Sequence, residues 1–299
     1  MSDAKPRVTL VICTHNRAAL LAETLERVQD AIGNHRHAFE LITVDNASTD
    51  DSATVAQARG ARVIFESRVG LTHARNTGVE YASAEWVWFL DDDVAPQPGW
   101  ADAVLRATGR PDVGLIAGRI VLRWPAREPA WLPPEFRGSY SALDLGDVAG
   151  PLEWPRFPFG ANMGVRSDVY RAAGGCLPEL GRQGRVLLSN EDKDLAHRIH
   201  LLGVRGWYAA DAAVDHIVDP SRQSVRWLLR RAYWGGVSDV RGARLREQRG
   251  GESSGQAGRR WIRTNLLNTV LGAFSSRMGI VRLAARTCYI AGVLRGRRY

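Results

Sequence analysis

The chain has 299 residues, of which 45% are hydrophobic and 24% charged. That is enough for one large or two small domains with a buried core, and it excludes a disordered, fibrous or collagen-like protein. The net charge of +8 is unevenly spread: residues 221–299 hold 17 Arg, no Lys and three acids, a surplus of +14, against −6 for residues 1–220.

Arg7–Cys13 reads as a buried strand, and residues 17–32 (RAALLAETLERVQDAI) carry helical spacing through Leu20, Leu21, Leu25, Val28 and Ile32. Leu41–Val44 is a second strand, running into Asp45-Asn46-Ala47-Ser48-Thr49-Asp50, a loop rich in helix-capping residues. A helix through Ala58 follows, then a strand at Arg62–Phe65, a helix over 71–82 and a strand at Trp86–Leu90. Strands separated by helices of roughly 10–15 residues predict a Rossmann-like, mostly parallel α/β sheet with helices on both faces. Residues 124–158 hold seven of the 13 prolines together with Trp124, Trp131 and Trp154, and are expected to form a long functional loop. Residues 159–165 return to the sheet, Glu191–Leu202 is a helix stopped by Gly203, and Val214–Val218 is a last short strand. Residues 221–299 read as Arg-rich helices interrupted near 249–258. The expected organisation is a body over 1–220, with halves at 1–123 and 124–220, and a basic helical C-terminal extension over 221–299.

Cys13, Cys176 and Cys288 include no CxxC, which fits a reducing compartment. No apolar h-region follows Met1 and no run of about 18 uncharged apolar residues occurs, so neither a signal peptide nor a conventional membrane-spanning helix is expected.

Asp91-Asp92-Asp93 is the most informative feature. Strand alternation aims Asp91 and Asp93 the same way, at the carboxyl end of a buried strand where ligands bind in open sheets. Two hard carboxylates there suit a divalent cation, which can clamp phosphates. The plainer reading is a solvated acidic turn. No GxGxxG follows the first strand and no GxxxxGK[ST] occurs, which counts against a dinucleotide site and a P-loop.

Residues 11–17 (VICTHNR), 44–50 (VDNASTD), 70–78 (GLTHARNTG), 90–93 (LDDD) and 190–192 (NED) occur in that order. Together they resemble a family-two glycosyltransferase of the type-A glycosyltransferase fold, over about residues 7–218. The resemblance implies a nucleotide-diphosphate sugar donor, Mn²⁺ or Mg²⁺, and transfer to an acceptor hydroxyl with inversion. It places Thr14, Asn16, Arg17, Asp45 and Ser48 around the nucleotide, Arg75 at the base or diphosphate, and Asp91 and Asp92 on ribose or metal-bound water. Asp93 would bind the metal directly, with Asp91 beside it and His216 completing the site. Asp192 would be the general base, with Glu191 orienting the acceptor. Arg68 stands where the family often has Asn. The plainer readings, left open at this point, are a helix cap for Asp45, a surface ion pair for Arg75, a helix-dipole partner for the Glu191–Asp192 pair and a structural role for His216.

The acceptor is open: a glycan, a lipid-linked glycan or a small aglycone. A nucleotidyltransferase and a basic nucleic-acid-binding protein are the alternatives. The first lacks its glycine-rich basic loop, and the second leaves the acidic cluster unexplained. The C-terminal helices either lie against an anionic membrane surface, which would put a cytoplasmic protein on the inner face of the membrane, or cap the body.

Overall fold

A computed structural model describes residues 5–182, 186–249 and 277–297. The chain divides into two compact units. The first comprises Met1–Arg123, Ser141–Glu179 and Glu191–Ile217, and the second Trp124–Tyr140, Leu180–Asn190 and Val218–Tyr299.

The first unit is built on one sheet. Its strands are β1 (Val8–Thr14), β2 (Phe39–Asp45), β3 (Arg62–Phe65), β4 (Trp86–Asp91), β5 (Val94–Pro96), β6 (Val113–Arg123), β7 (Gly150–Leu152), β8 (Asn162–Arg166) and β9 (Arg205–Ile217). Its helices are α1 (Ala18–Ile32), α2 (Ser52–Ala58), α3 (Leu71–Tyr81), α4 (Trp100–Thr108), α5 (Ser167–Ala172) and α6 (Glu191–Leu201). The order β3-β2-β1-β4-β8-β6-β9-β5 is parallel from β3 to β4, and β8 joins β4 antiparallel.

Alternation along the strands creates two cores. Val8, Leu10 and Ile12 of β1 and Trp86, Trp88 and Leu90 of β4 pack with Leu21 and Leu25 of α1 and Trp100 and Val104 of α4. Val11, Val87 and Phe89 face the other way, onto Ala74 and Val79 of α3, Val169 of α5 and Leu195 of α6. Asp91 has the parity of Val87 and Phe89, so the sequence period alone sends it to the α3–α6 face. On the side of the first core sits fully buried Asn162, whose Oδ1 accepts from the indoles of Trp88 (2.9 Å) and Trp100 (3.3 Å). Its Nδ2 donates to Arg119 O (3.0 Å) and Ala212 O (2.7 Å), so its capacity is used in place.

The last strand is longer than its sequence suggests: β9 spans 13 residues rather than Val214–Val218. Its Ala209-Ala210-Asp211-Ala212-Ala213 stretch has little strand preference of its own, and pairing with β6 overrides that weak signal. Gly118 in β6 resembles a strand breaker, yet a Cβ there would lie 2.1 Å from Asn162 Nδ2. The expected long loop contains a 3₁₀ turn over Pro134–Tyr140 and the short strand β7.

The second unit contains α7 (Val225–Gln248) and α8 (Arg277–Gly296). Their backbones meet at glycines: a Cβ on Gly236 would lie 2.1 Å from Tyr289 O, and one on Gly292 1.9 Å from Tyr233 O. Tyr289 and Asn190 both donate to Asp239, and the Tyr140 ring lies between Trp124 (5.1 Å) and Trp227 (4.6 Å). The expected helix break near 249–258 lies outside the described residues, apart from Arg249.

Candidate active site

Parallel β1, β2 and β4 end at one edge, with Thr14 opposite Asp45 and Cys13 opposite Asp91. The loops leaving that edge are tied together. Asn16 N–H donates to Ser48 Oγ (3.0 Å), Thr49 N–H to Asn16 Oδ1 (2.7 Å) and Ser48 N–H to Asp45 Oδ1 (3.1 Å). Asn16 has φ 53, a left-handed conformation that asparagine tolerates. Thr14, Asn16, Asp45 and Ser48 therefore share one loop cluster. Asp45 does not cap α2, whose N-cap position is Asp51; it closes its own turn.

The three carboxylates after β4 have different partners. Thr14 Oγ1 donates to Asp92 Oδ2 (2.8 Å), and Arg17 spans Asp92 and Asp93, with Nη2 2.8 Å from Asp93 Oδ2. Burial pushes Asp92 up to about 7 against the pull of Arg17. His216 reaches Asp93 through strand register. Val94 pairs with His216 and Ile217 N–H donates to Asp93 O (2.9 Å), which leaves His216 Nε2 3.1 Å from Asp93 Oδ1. One donor atom each of Asp91, Asp93 and His216 lie within 4.8 Å of one another. His216 is 2% exposed, and its Nδ1 has no hydrogen-bond partner among the described residues. Two carboxylates and an imidazole suit a divalent ion such as Mn²⁺, so these residues fit the expected metal.

Across the edge, α6 begins with Glu191 and Asp192, both buried. Asp192 Oδ1 lies 2.6 Å from Arg75 Nη1, and Asp192 Oδ2 accepts the Gly160 N–H at 2.9 Å. Burial pushes Asp192 up to about 7, opposed by Arg75 and reinforced by Glu191. Glu191 Oε1 is 3.3 Å from the same Arg75 nitrogen, whereas its buried Oε2 finds no hydrogen-bond partner among the described residues. Arg75 Nη2 lies 3.5 Å from Asp91 Oδ1. Arg75, expected at the nucleotide base or diphosphate, or else as a surface ion pair, is thus 3% exposed and engaged by three carboxylates.

Two contributions escape sequence reasoning. Gly160 makes room for Arg75, and nothing in Phe159-Gly160-Ala161 signals it. Asn46 donates to Glu66 O (3.1 Å) and Arg68 O (2.8 Å) and accepts from Gly70 N–H (2.7 Å), holding the 66–70 loop beside the β2 end. The Arg68 guanidinium itself is spent on Glu66 (2.6 Å), which it helps hold down at about 2. Trp154 packs on the rings of His197 (4.9 Å) and His200 (6.4 Å).

Residues 9–171 match the model of glycosyl transferase family 2, from β1 through α5. The chain is 26% identical over 241 residues to a glucosyl-dolichyl phosphate glucuronosyltransferase of Haloferax volcanii, covering 78% of this chain and 76% of that one. It is 32% identical over 167 residues to a pre-mycofactocin glycosyltransferase of Mycobacterium tuberculosis, covering 56% of this chain and 34% of that protein. A mannosyltransferase of Pyrobaculum calidifontis, solved with GDP-Man and Mn²⁺, superposes with a TM-score of 0.65 at 19% identity over 98% of this chain and 88% of the other. That likeness identifies the type-A glycosyltransferase fold. With more than half its length matched by the family model, the chain belongs to glycosyl transferase family 2.

Proposed function

We propose that the protein transfers a sugar from a nucleotide-diphosphate donor to an acceptor hydroxyl, with a divalent cation and inversion at the anomeric carbon. The observation that carries this is the Asp91–Asp93–His216 group at the same sheet edge as buried Asp192. Thr14, Asn16, Asp45 and Ser48 would bind the nucleoside, with the Asp45 carboxylate suited to a base N–H. Asp91, Asp93 and His216 would hold the cation, and Arg17 and Asp92 support that group from beside it. A bound Mn²⁺ or Mg²⁺ would offset the charge gathering on the departing diphosphate.

Asp192 would take the proton of the attacking hydroxyl. A single base serving one displacement gives inversion, because no second carboxylate has to form a covalent sugar intermediate. Glu191 Oε2, buried without a donor among the described residues, would accept from the acceptor and orient it. The Pyrobaculum mannosyltransferase of similar fold was solved with GDP-Man and Mn²⁺, which supports the donor class and the ion. The Haloferax relative is named for a dolichyl phosphate-linked acceptor, which supports a lipid-linked acceptor here. The organisation we propose is a catalytic body over 1–220, with donor and acceptor halves at 1–123 and 124–220, followed by a C-terminal extension that contacts membrane peripherally. Among the described residues no helix is long and apolar enough to cross a membrane.

The test is a thermal-shift panel of nucleotide sugars and nucleoside diphosphates with and without Mn²⁺. A bound donor raises the melting temperature by mass action. The proposal fails if UDP, GDP and dTDP leave melting unmoved in both conditions.

A further inference from the structure

Arg75 sits at the junction of two groups of acids that the proposed reaction uses for different things. Its Nη1 is 2.6 Å from Asp192 Oδ1 and 3.3 Å from Glu191 Oε1, on the acceptor side. Its Nη2 is 3.5 Å from Asp91 Oδ1, on the metal side. The guanidinium carbon lies 5.8 Å from the centre of the Phe89 ring. The space it fills exists because residue 160 is glycine: a Cβ there would lie 2.0 Å from Arg75 Nη2 and 2.3 Å from Cζ. The N–H of that same Gly160 holds the second oxygen of Asp192, so both carboxylate oxygens are fixed in place.

We propose that Arg75 is a positioning residue that acts through Asp192 rather than on the donor diphosphate, and that Gly160 is the residue that admits it. The proposal rests on Asp192 being the base. Arg75 holds the Asp192 carboxylate plane, opposes the burial that favours its neutral form, and links it to Asp91. A planar fork contacts carboxylates on two sides at once, which a lysine ammonium does not reproduce.

The test uses full-length enzyme and three variants: Gly160→Ala, Arg75→Lys and Asp192→Asn. Gly160→Ala keeps every charge and displaces the guanidinium. Gly160 is not among the glycines with positive φ, so alanine needs no backbone change. Two quantities are read: Kd for UDP and GDP with Mn²⁺, and release of nucleoside diphosphate from UDP-glucose or GDP-mannose with water as acceptor. Expected for Gly160→Ala and Arg75→Lys are diphosphate Kd values within about threefold of the parent and turnover at saturating donor lowered at least ~30-fold. In the Asp192→Asn background, Gly160→Ala should cost less than about threefold more, because the two act as one unit. A merely structural role would weaken binding and turnover together and add to the loss in the double variant.

Roughly tenfold weaker diphosphate binding with unchanged turnover would place Arg75 on the donor and overturn the proposal. Independent, additive losses would overturn it as well. Full turnover by Asp192→Asn alone is the distinct result that removes the base assignment itself, and this inference with it. Should Arg75→Lys fail to fold, Gly160→Ala carries the same comparison.

Discussion

His216 Nε2 stands 3.1 Å from Asp93 Oδ1 because β5 follows the acidic turn at once and pairs with β9 in the register Val94 to His216. Two residues far apart in sequence become neighbours through three residues of strand. Asp93→Ala and His216→Ala should therefore each abolish or sharply weaken the Mn²⁺-dependent part of nucleoside diphosphate stabilisation. Melting curves with UDP and GDP, with and without Mn²⁺, check this. A metal-dependent shift that survives in both variants would move the ion elsewhere.

Asp192→Asn should lower turnover by about 10²–10⁴-fold, the usual cost of losing a positioned base. It keeps the side-chain size and one acceptor oxygen for the Gly160 N–H while giving up the Arg75 contact on the acceptor side, so diphosphate affinity should stay close to that of the parent. Near-normal turnover would shift the base role to Glu191, whose Oε2 is the other candidate acceptor.

The pH dependence follows from the same carboxyl. Burial raises Asp192 to about 7, so below that pH it is protonated and cannot accept the hydroxyl proton. Turnover at saturating donor should rise with pH through about 7 and then level off. Linkage gives the opposite sign for stability. A raised carboxyl favours the folded state most below its unfolded pKa of about 3.9, and that contribution is lost as pH rises through the folded value. A rate profile flat from pH 5 to 9, measured as diphosphate release, would contradict the raised base.

In the core, Asn162→Ala should destabilise the first unit, because it strips the hydrogen-bond acceptor from the buried indoles of Trp88 and Trp100. An unsatisfied buried donor costs about 1–3 kcal/mol, and the lost side-chain volume adds a cavity. Denaturant titration should show a lower midpoint at an unchanged slope. A change below about 0.5 kcal/mol would mean that water replaces the amide.

The first four strands were legible because buried apolar runs alternate with amphipathic helices from Val8 to Leu90, and Asp91–Asp93 then fall where such sheets bind ligands. The elements hidden from sequence are those whose residues answer to distant partners. Gly114 and Gly118 look like breaks in β6, and the alanines of β9 carry no strand signal until β6 pairs with them. The same holds at the site. Arg75 and Asp192 are 117 positions apart, and only the space left by Gly160 brings them together. A motif match places Arg75 in the site, whereas the direction of its guanidinium depends on a glycine that no local pattern marks.

The C-terminal helices bear on where the reaction takes place. On α8, Ile280, Thr287, Ala291 and Leu294 are exposed and fall within one helical face, and Ile280 and Leu294 are 64% and 56% exposed. Arg277 and Arg295 are exposed at the ends of the same helix, and Arg297 is exposed just past it. The opposite face carries the glycines that meet α7. An apolar outer face with arginines at both ends suits insertion at a headgroup boundary, where each basic residue adds about 1 kcal/mol of attraction to anionic lipid. Full-length protein should therefore co-sediment with vesicles containing phosphatidylserine and bind much less to pure phosphatidylcholine, with binding falling as salt rises. The paired substitution Ile280→Asp and Leu294→Asp changes only exposed positions, so it should leave melting and diphosphate binding intact while reducing vesicle binding by roughly tenfold or more. If folded parent protein ignores both vesicle types, or the paired variant binds as the parent does, α8 is a solvated cap and the acceptor need not be presented at a membrane.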